Sequence, residues 1–126
     1  MIEVGLTHTS TMEVTADCTA VAVGSGDLPV LATPMMVALM ENAAMIAVAP
    51  ALEEGSTTVG TEMNVTHEAA TLQGQMFSAT ATLVAVEGRK LTFEVEAREG
   101  EKLLGKGLHQ RFVVDKKRFM DKLLGK

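Results

Sequence analysis

The sequence predicts an α+β domain in which one five-stranded antiparallel sheet wraps a single buried helix. Three observations carry this. Residues 35–49, MMVALMENAAMIAVA, are apolar or small at nearly every position, as in a helix enclosed by protein. Four strand-like runs follow at 57–68, 75–87, 89–99 and 102–114, divided by Gly74, Glu87-Gly88 and Glu99-Gly100. In the third run Leu91, Phe93, Val95 and Ala97 alternate with Lys90, Thr92, Glu94, Glu96 and Arg98. One face of that strand is wet and the other needs a cover, and the helix at 34–49 is the only element long enough to supply it.

The remaining elements follow in order. Residues 9–23 are rich in Thr and Val and predict the first strand, closed by Gly24-Ser25-Gly26-Asp27. Thr33-Pro34 is a helix start, with Thr33 as N-cap and Pro34 in the first turn, and Pro50 marks the end. The Glu-Gly pairs predict hairpins, so the last three strands form a meander. Residues 115–124 predict a short terminal helix that turns Phe119, Leu123 and Leu124 toward the body. Neither repeats nor linkers divide the chain, so 1–126 is expected to be one domain.

Composition excludes several functions. Aromatics make up 3% of the chain, which leaves no stacking platform for nucleic acid. The charge is uneven: residues 1–114 carry 14 acidic and 6 basic side chains, and 115–126 carry 2 and 5. An acidic body repels phosphate polymers. Cys18 is the one cysteine, which rules out an internal disulfide and suits a reducing cytoplasm. The N-terminus has no signal-peptide pattern, and the central helix is expected to be too short to cross a bilayer.

Two residues stand out chemically. Glu41 places a carboxylate within the apolar helix, a costly position unless the group is paired or opens on a cleft. It serves either chemistry or a subunit interface. His67 falls, by alternation from Val59, Thr61, Met63 and Val65, on the helix-facing side of its strand. It is either a satisfied core histidine or a partner of Glu41 in proton transfer. Thr33 is explained by capping alone. Its Cα lies about 12 Å from that of Glu41 along the helix, so water, substrate or a second subunit must bridge them. His8 and His109 show no partner at a recognisable spacing, no zinc-ligand cluster occurs, and Gly105-Lys106-Gly107 lacks the context of a phosphate loop.

The segments LATPMMVALMENAAMIAVAP, TVGTEMNVTHEAAT, EGRKLTFEVEAREG and GKGLHQRFVV strongly resemble the fluoroacetyl-CoA thioesterase-like family over about residues 10–120. The resemblance implies a hot-dog fold, a homodimer, and hydrolysis of an acyl-CoA with no metal or organic cofactor, coenzyme A entering as part of the substrate. It implies that Thr33, Glu41 and His67 are catalytic and that Gly60 and Arg111 contact substrate beside His67. Simple alternation sets Arg111 on the polar face, with Leu108 and Phe112 inward, unless a bulge near Gly105 or Gly107 reverses the register. The aromatic lid of the fluoroacetyl-specific member is missing, with Leu28 and Leu31 in its neighbourhood, so selectivity for fluoroacetyl is not implied.

On this reading Glu41 attacks the thioester or activates water, His67 moves protons, and Thr33 orients them. Amides at the start of the helix would bind the oxyanion. Two other functions fit the same residues: a non-catalytic acyl-thioester-binding hot dog, and an enoyl-CoA hydratase.

Overall fold

The computed structural model describes residues 1–126. Strands β1 (Thr7–Glu13), β2 (Ser56–Val65), β3 (Met76–Glu87), β4 (Lys90–Glu99) and β5 (Lys102–Asp115) form one antiparallel sheet in the order β1-β3-β4-β5-β2. Helices α1 (Ala20–Val23), α2 (Thr33–Val48) and α3 (Lys116–Leu123) complete the chain. The meander β3-β4-β5 turns at Gly88 and Gly100, both left-handed with φ of 64° and 59°, a conformation that glycine adopts without strain.

The sheet wraps α2 as the patterning predicts. Leu91, Phe93 and Ala97 of β4 are wholly buried, and Met36, Met40, Ala43 and Ala44 of α2 join them in one core. Alanines on both sides, at 43, 44 and 47 of α2 and at 79, 81 and 97 of the sheet, let the helix lie close to the sheet. Asn42, the second polar residue of α2, accepts a 2.7 Å hydrogen bond from Ser10 Oγ and ties the helix to β1.

Four expectations change. The first strand ends at Glu13; a tight turn at Ala16–Cys18 and then α1 replace its second half. Thr19 caps α1 by accepting from the Ala22 amide, and Gly24 closes it in the left-handed region, so local capping overrides the β-propensity of Val21 and Val23. The central helical run continues through a turn at Ala49–Ala51 to 19 residues of mean hydropathy 1.4, long and apolar enough to cross a membrane by length and composition. That apolarity has a local cause, since seven of the sixteen residues of α2 are buried in the core shared with the sheet. In α3, Leu123 and Leu124 stay exposed at 68% and 61%, and Phe119 at 39%. The helix is held at its start by Asp115 Oδ1, which accepts from the Arg118 amide, and its apolar side chains do not reach the core.

The fourth change decides the site. Extra residues interrupt the pairing at Thr61 of β2 and Leu104 of β5. Each bulge reverses the inward–outward sense of everything beyond it. Leu104 and Gly105 both face inward as a result, and Gly107, His109, Arg111 and Val113 follow on the same side. Arg111 is therefore buried at 6%, while Leu108 and Phe112 are exposed.

Candidate active site

The start of α2 is clamped from two directions. The Leu31 amide donates to Thr71 O at 2.8 Å and the Ala32 amide to Cys18 O at 2.9 Å. Ala32, not Thr33, occupies the N-cap, and the Thr33 hydroxyl caps nothing. It pairs instead with His67 Nδ1 at 2.7 Å, which frees Thr33 from the structural role that capping had given it. The expected oxyanion donors also thin out. Pro34 has no N–H, and the Met35 and Met36 amides both donate to Ala32 O, leaving the Thr33 amide as the one without a backbone acceptor.

His67 does not lie on the strand. β2 ends at Val65, and residues 66–69 run alongside β5, with the Thr66 amide on Lys106 O at 2.9 Å and the Ala69 amide on Leu104 O at 3.3 Å. Such proximity requires Gly105 and Gly107: a Cβ at either would collide with the carbonyl of Thr66 or Asn64, respectively. Burial pushes the His67 pKa down, partly offset by the Ala69 backbone. Its Nε2 is buried without a hydrogen-bond partner. A small cavity of about 200 Å3 opens beside it, lined by Val30, Leu31, Glu68, Ala69 and Ala70. A larger groove of about 660 Å3 lies on the sheet between Thr80, Glu94, Glu96 and Lys106 and holds none of the candidate residues.

Glu41 projects from the middle of α2 toward β2 and β5. Its side chain is 43% exposed, so solvent spares it the desolvation that a buried helix implied. A buried guanidinium, Arg111 Nη1, stands 3.9 Å from Glu41 Oε2, beyond hydrogen-bond reach. Gly60 makes the room, since a Cβ there would come within 2.6 Å of the same carboxylate oxygen. Thr58 fixes the guanidinium, its Oγ1 accepting from Arg111 Nε at 2.8 Å and its carbonyl from Nη2 at 2.9 Å. Burial lowers the Arg111 pKa and Glu41 opposes that, but a guanidinium stays charged at neutral pH.

The chain thus forms two clusters, Thr33 with His67 and Glu41 with Gly60 and Arg111. The expected Glu41–His67 pair is not made within one chain: no hydrogen bond joins them, and Glu41 is not among the causes of the His67 shift. His109, set aside in the sequence for want of a partner, belongs to the second cluster, 1% exposed and 3.1 Å from Arg111 Nη1. The period-2 run Gly105, Gly107, His109, Arg111 was its only signal. His109 is also pushed down in pKa, chiefly by burial and further by Arg111, against the Glu62 carbonyl and Glu41. No three His, Cys, Asp or Glu side chains come together as a metal-binding group.

The two depressed histidines fix a pH dependence. Both sit below the ordinary 6.5 when folded, so beneath pH 6.5 the unfolded chain binds more protons and stability falls as pH falls. Above 6.5 their contribution is fully present. Urea midpoints are expected to drop between pH 7.5 and pH 5, before most carboxylates titrate at about 4. A midpoint that holds or rises over this range contradicts the assignment.

Solved structures share the fold over its full length. FlK, described as a fluoroacetyl-CoA thioesterase, superposes with a TM-score of 0.91 at 37% identity, covering 100% of this chain and 98% of that one. A thioesterase superfamily member from Thermus thermophilus gives 0.85 at 27% identity, covering 100% and 98%. A hot-dog-like protein from Thermanaerovibrio acidaminovorans gives 0.88 at 21%, covering 98% and 92%, a likeness of fold alone. The fold and its likeness to FlK together define a thioester hydrolase of the hot-dog class. In sequence, the fluoroacetyl-CoA thioesterase of Streptantibioticus cattleyicolor is 45% identical over 94 residues, 75% of this chain and 68% of that one. The profile of the fluoroacetyl-CoA-specific thioesterase family, FlK, matches residues 14–117, and the chain belongs to that family.

Proposed function

We propose that the protein hydrolyses a short-chain acyl-CoA to the free acid and coenzyme A, with Glu41, His67 and Thr33 as its catalytic residues. The observation that carries this is Glu41: a half-exposed carboxylate on the core helix, with no hydrogen-bond donor occupying it and a buried cation held nearby. Its lone pairs are open to a water or a carbonyl carbon. Two routes follow. Glu41 adds to the thioester carbon, giving an anhydride that water then opens, or it takes the proton from a water that adds directly. In both, the C–S bond breaks and the departing thiolate takes a proton from His67, which regains one from the water consumed, directly or by way of Glu41 and solvent. Thr33 orients His67 through the 2.7 Å bond to Nδ1. The 45% identical relative acts on fluoroacetyl-CoA, a two-carbon acyl group, which supports a short-chain substrate.

The working unit in this proposal is a homodimer. A thioester carbon cannot meet both clusters of one chain if they stay as far apart as the helix sets Thr33 from Glu41, about 12 Å, whereas a second copy can bring its own Glu41 to the first copy's Thr33–His67 pair. Two features support this. β2 pairs with β5 on one side and is open on the other, and an unpaired strand edge invites another strand. Met45, one turn beyond Glu41 on α2, is also left 39% exposed. Buried, unpaired Cys18 fits a cytoplasmic enzyme.

A panel of acyl-CoAs assayed for thiol release tests the function. Release from acetyl- and other short acyl-CoAs is expected. Binding without thiol release would instead favour a ligand-binding role, and loss of an enoyl double bond without thiol would favour a hydratase. Monomeric behaviour of the active enzyme in sedimentation would remove the shared site.

A further inference from the structure

We propose that His109 is a positioning residue: as a neutral ring acceptor it holds the Arg111 guanidinium beside Glu41 and keeps the two from closing into a hydrogen-bonded clamp. This rests on the assignment of Glu41 to the reaction.

Hydrogen-bond chemistry fixes the form of the ring. Arg111 Nη1 has only protons to offer, so at 3.1 Å His109 Nε2 must accept. The Glu62 carbonyl can only accept, so at 2.8 Å His109 Nδ1 must donate. One state meets both demands, the neutral Nδ1–H tautomer. Glu62 directly follows the Thr61 bulge of β2, so the interruption that reverses the strand also provides the carbonyl that locks the ring. Phe93 of β4 packs against the other side, ring centroids 6.2 Å apart. The charged groups facing His109 are Arg111 from its own strand and Glu41 from α2.

The consequence is geometric. Three bonds, to Thr58 Oγ1, Thr58 O and His109 Nε2, take one N–H from each nitrogen of the guanidinium. An arginine free to turn would meet a neighbouring carboxylate through two parallel bonds, and such a clamp would occupy the lone pairs the reaction needs. Held as it is, Arg111 stands 3.9 Å from Glu41 and leaves that carboxylate unbonded. Gly60 faces all three groups at once, with the site of its missing Cβ 2.6 Å from Glu41, 3.3 Å from His109 and 3.5 Å from Arg111.

Two measurements test this. In a long-range 1H–15N correlation spectrum of the 15N-labelled protein, His109 should appear as the Nδ1–H tautomer at neutral pH; an Nε2–H or charged ring overturns the proposal, with no variant required. In the thiol-release assay, His109→Leu should lower kcat roughly 10- to 100-fold and change KM little, because the loss falls on Glu41. His109→Gln, whose side-chain oxygen can take the place of Nε2, should recover most of that kcat. Wild-type kcat in His109→Leu, or equal loss in both variants, would overturn it. If Glu41→Gln also retained full activity, the assignment of Glu41 itself would fail; if Glu41→Gln is inactive while His109→Leu is normal, only the positioning role fails.

Discussion

Glu41→Gln is expected to lower kcat for acyl-CoA hydrolysis by about 10²- to 10⁴-fold and to leave the fold intact. The substitution keeps the volume and removes the charge, so it separates chemistry from packing. Stability should change little because the wild-type side chain is 43% exposed and its contact with Arg111, at 3.9 Å, is not a hydrogen bond. A half-exposed ion pair at that separation is worth under about 1 kcal/mol. The same reasoning divides the two chemical routes. A single turnover in 18O-water followed by mass spectrometry of the protein should leave label on Glu41 if it is the nucleophile and water opens the anhydride at the Glu41 carbonyl; label on Glu41 therefore establishes the covalent route, since a base acquires none. A Glu41→Gln enzyme that hydrolyses acyl-CoA at the wild-type rate would remove this residue from the mechanism.

Glu41 could be found in the sequence because it violates a local rule: a charge within an apolar helix is visible without knowing the neighbours. The α2 span and the wet and dry faces of β4 were visible for the same reason, since each depends on a period read within one element. What lay outside the sequence was set between elements. The bulge at Thr61 breaks the alternation by which His67 was assigned a face, and His67 proves to sit past the strand end, in a segment laid against Gly105 and Gly107. The bulge at Leu104 turns Arg111 and His109 inward together. Periodicity sees neither bulge, because each is a response to the neighbouring strand; the glycines at 105 and 107 raised the second as an alternative, and the structure places it at Leu104. Thr33-Pro34 shows the opposite failure. The dipeptide has the local signature of a cap, yet the clamped Ala32 takes that position and the hydroxyl is released to His67.

That release predicts an ordering of effects. His67→Ala is expected to lower kcat by about 10²- to 10⁴-fold, because it removes the group that carries a proton to the departing sulfur. Thr33→Val, which keeps the shape and deletes the hydroxyl, should cost less if Thr33 only orients the ring through Nδ1. Loss of one neutral hydrogen bond corresponds to about 0.5–1.5 kcal/mol, or roughly tenfold in rate. The buried, unpartnered Nε2 is then the nitrogen facing the reaction. Hydroxyl and ring act in series in this scheme, so adding Thr33→Val to His67→Ala should slow the enzyme no further. A Thr33→Val enzyme as impaired as His67→Ala would point elsewhere. At 2.7 Å from a ring nitrogen, the Thr33 oxygen has the geometry of a nucleophile beside its base, and such a result would move the covalent step from Glu41 to Thr33.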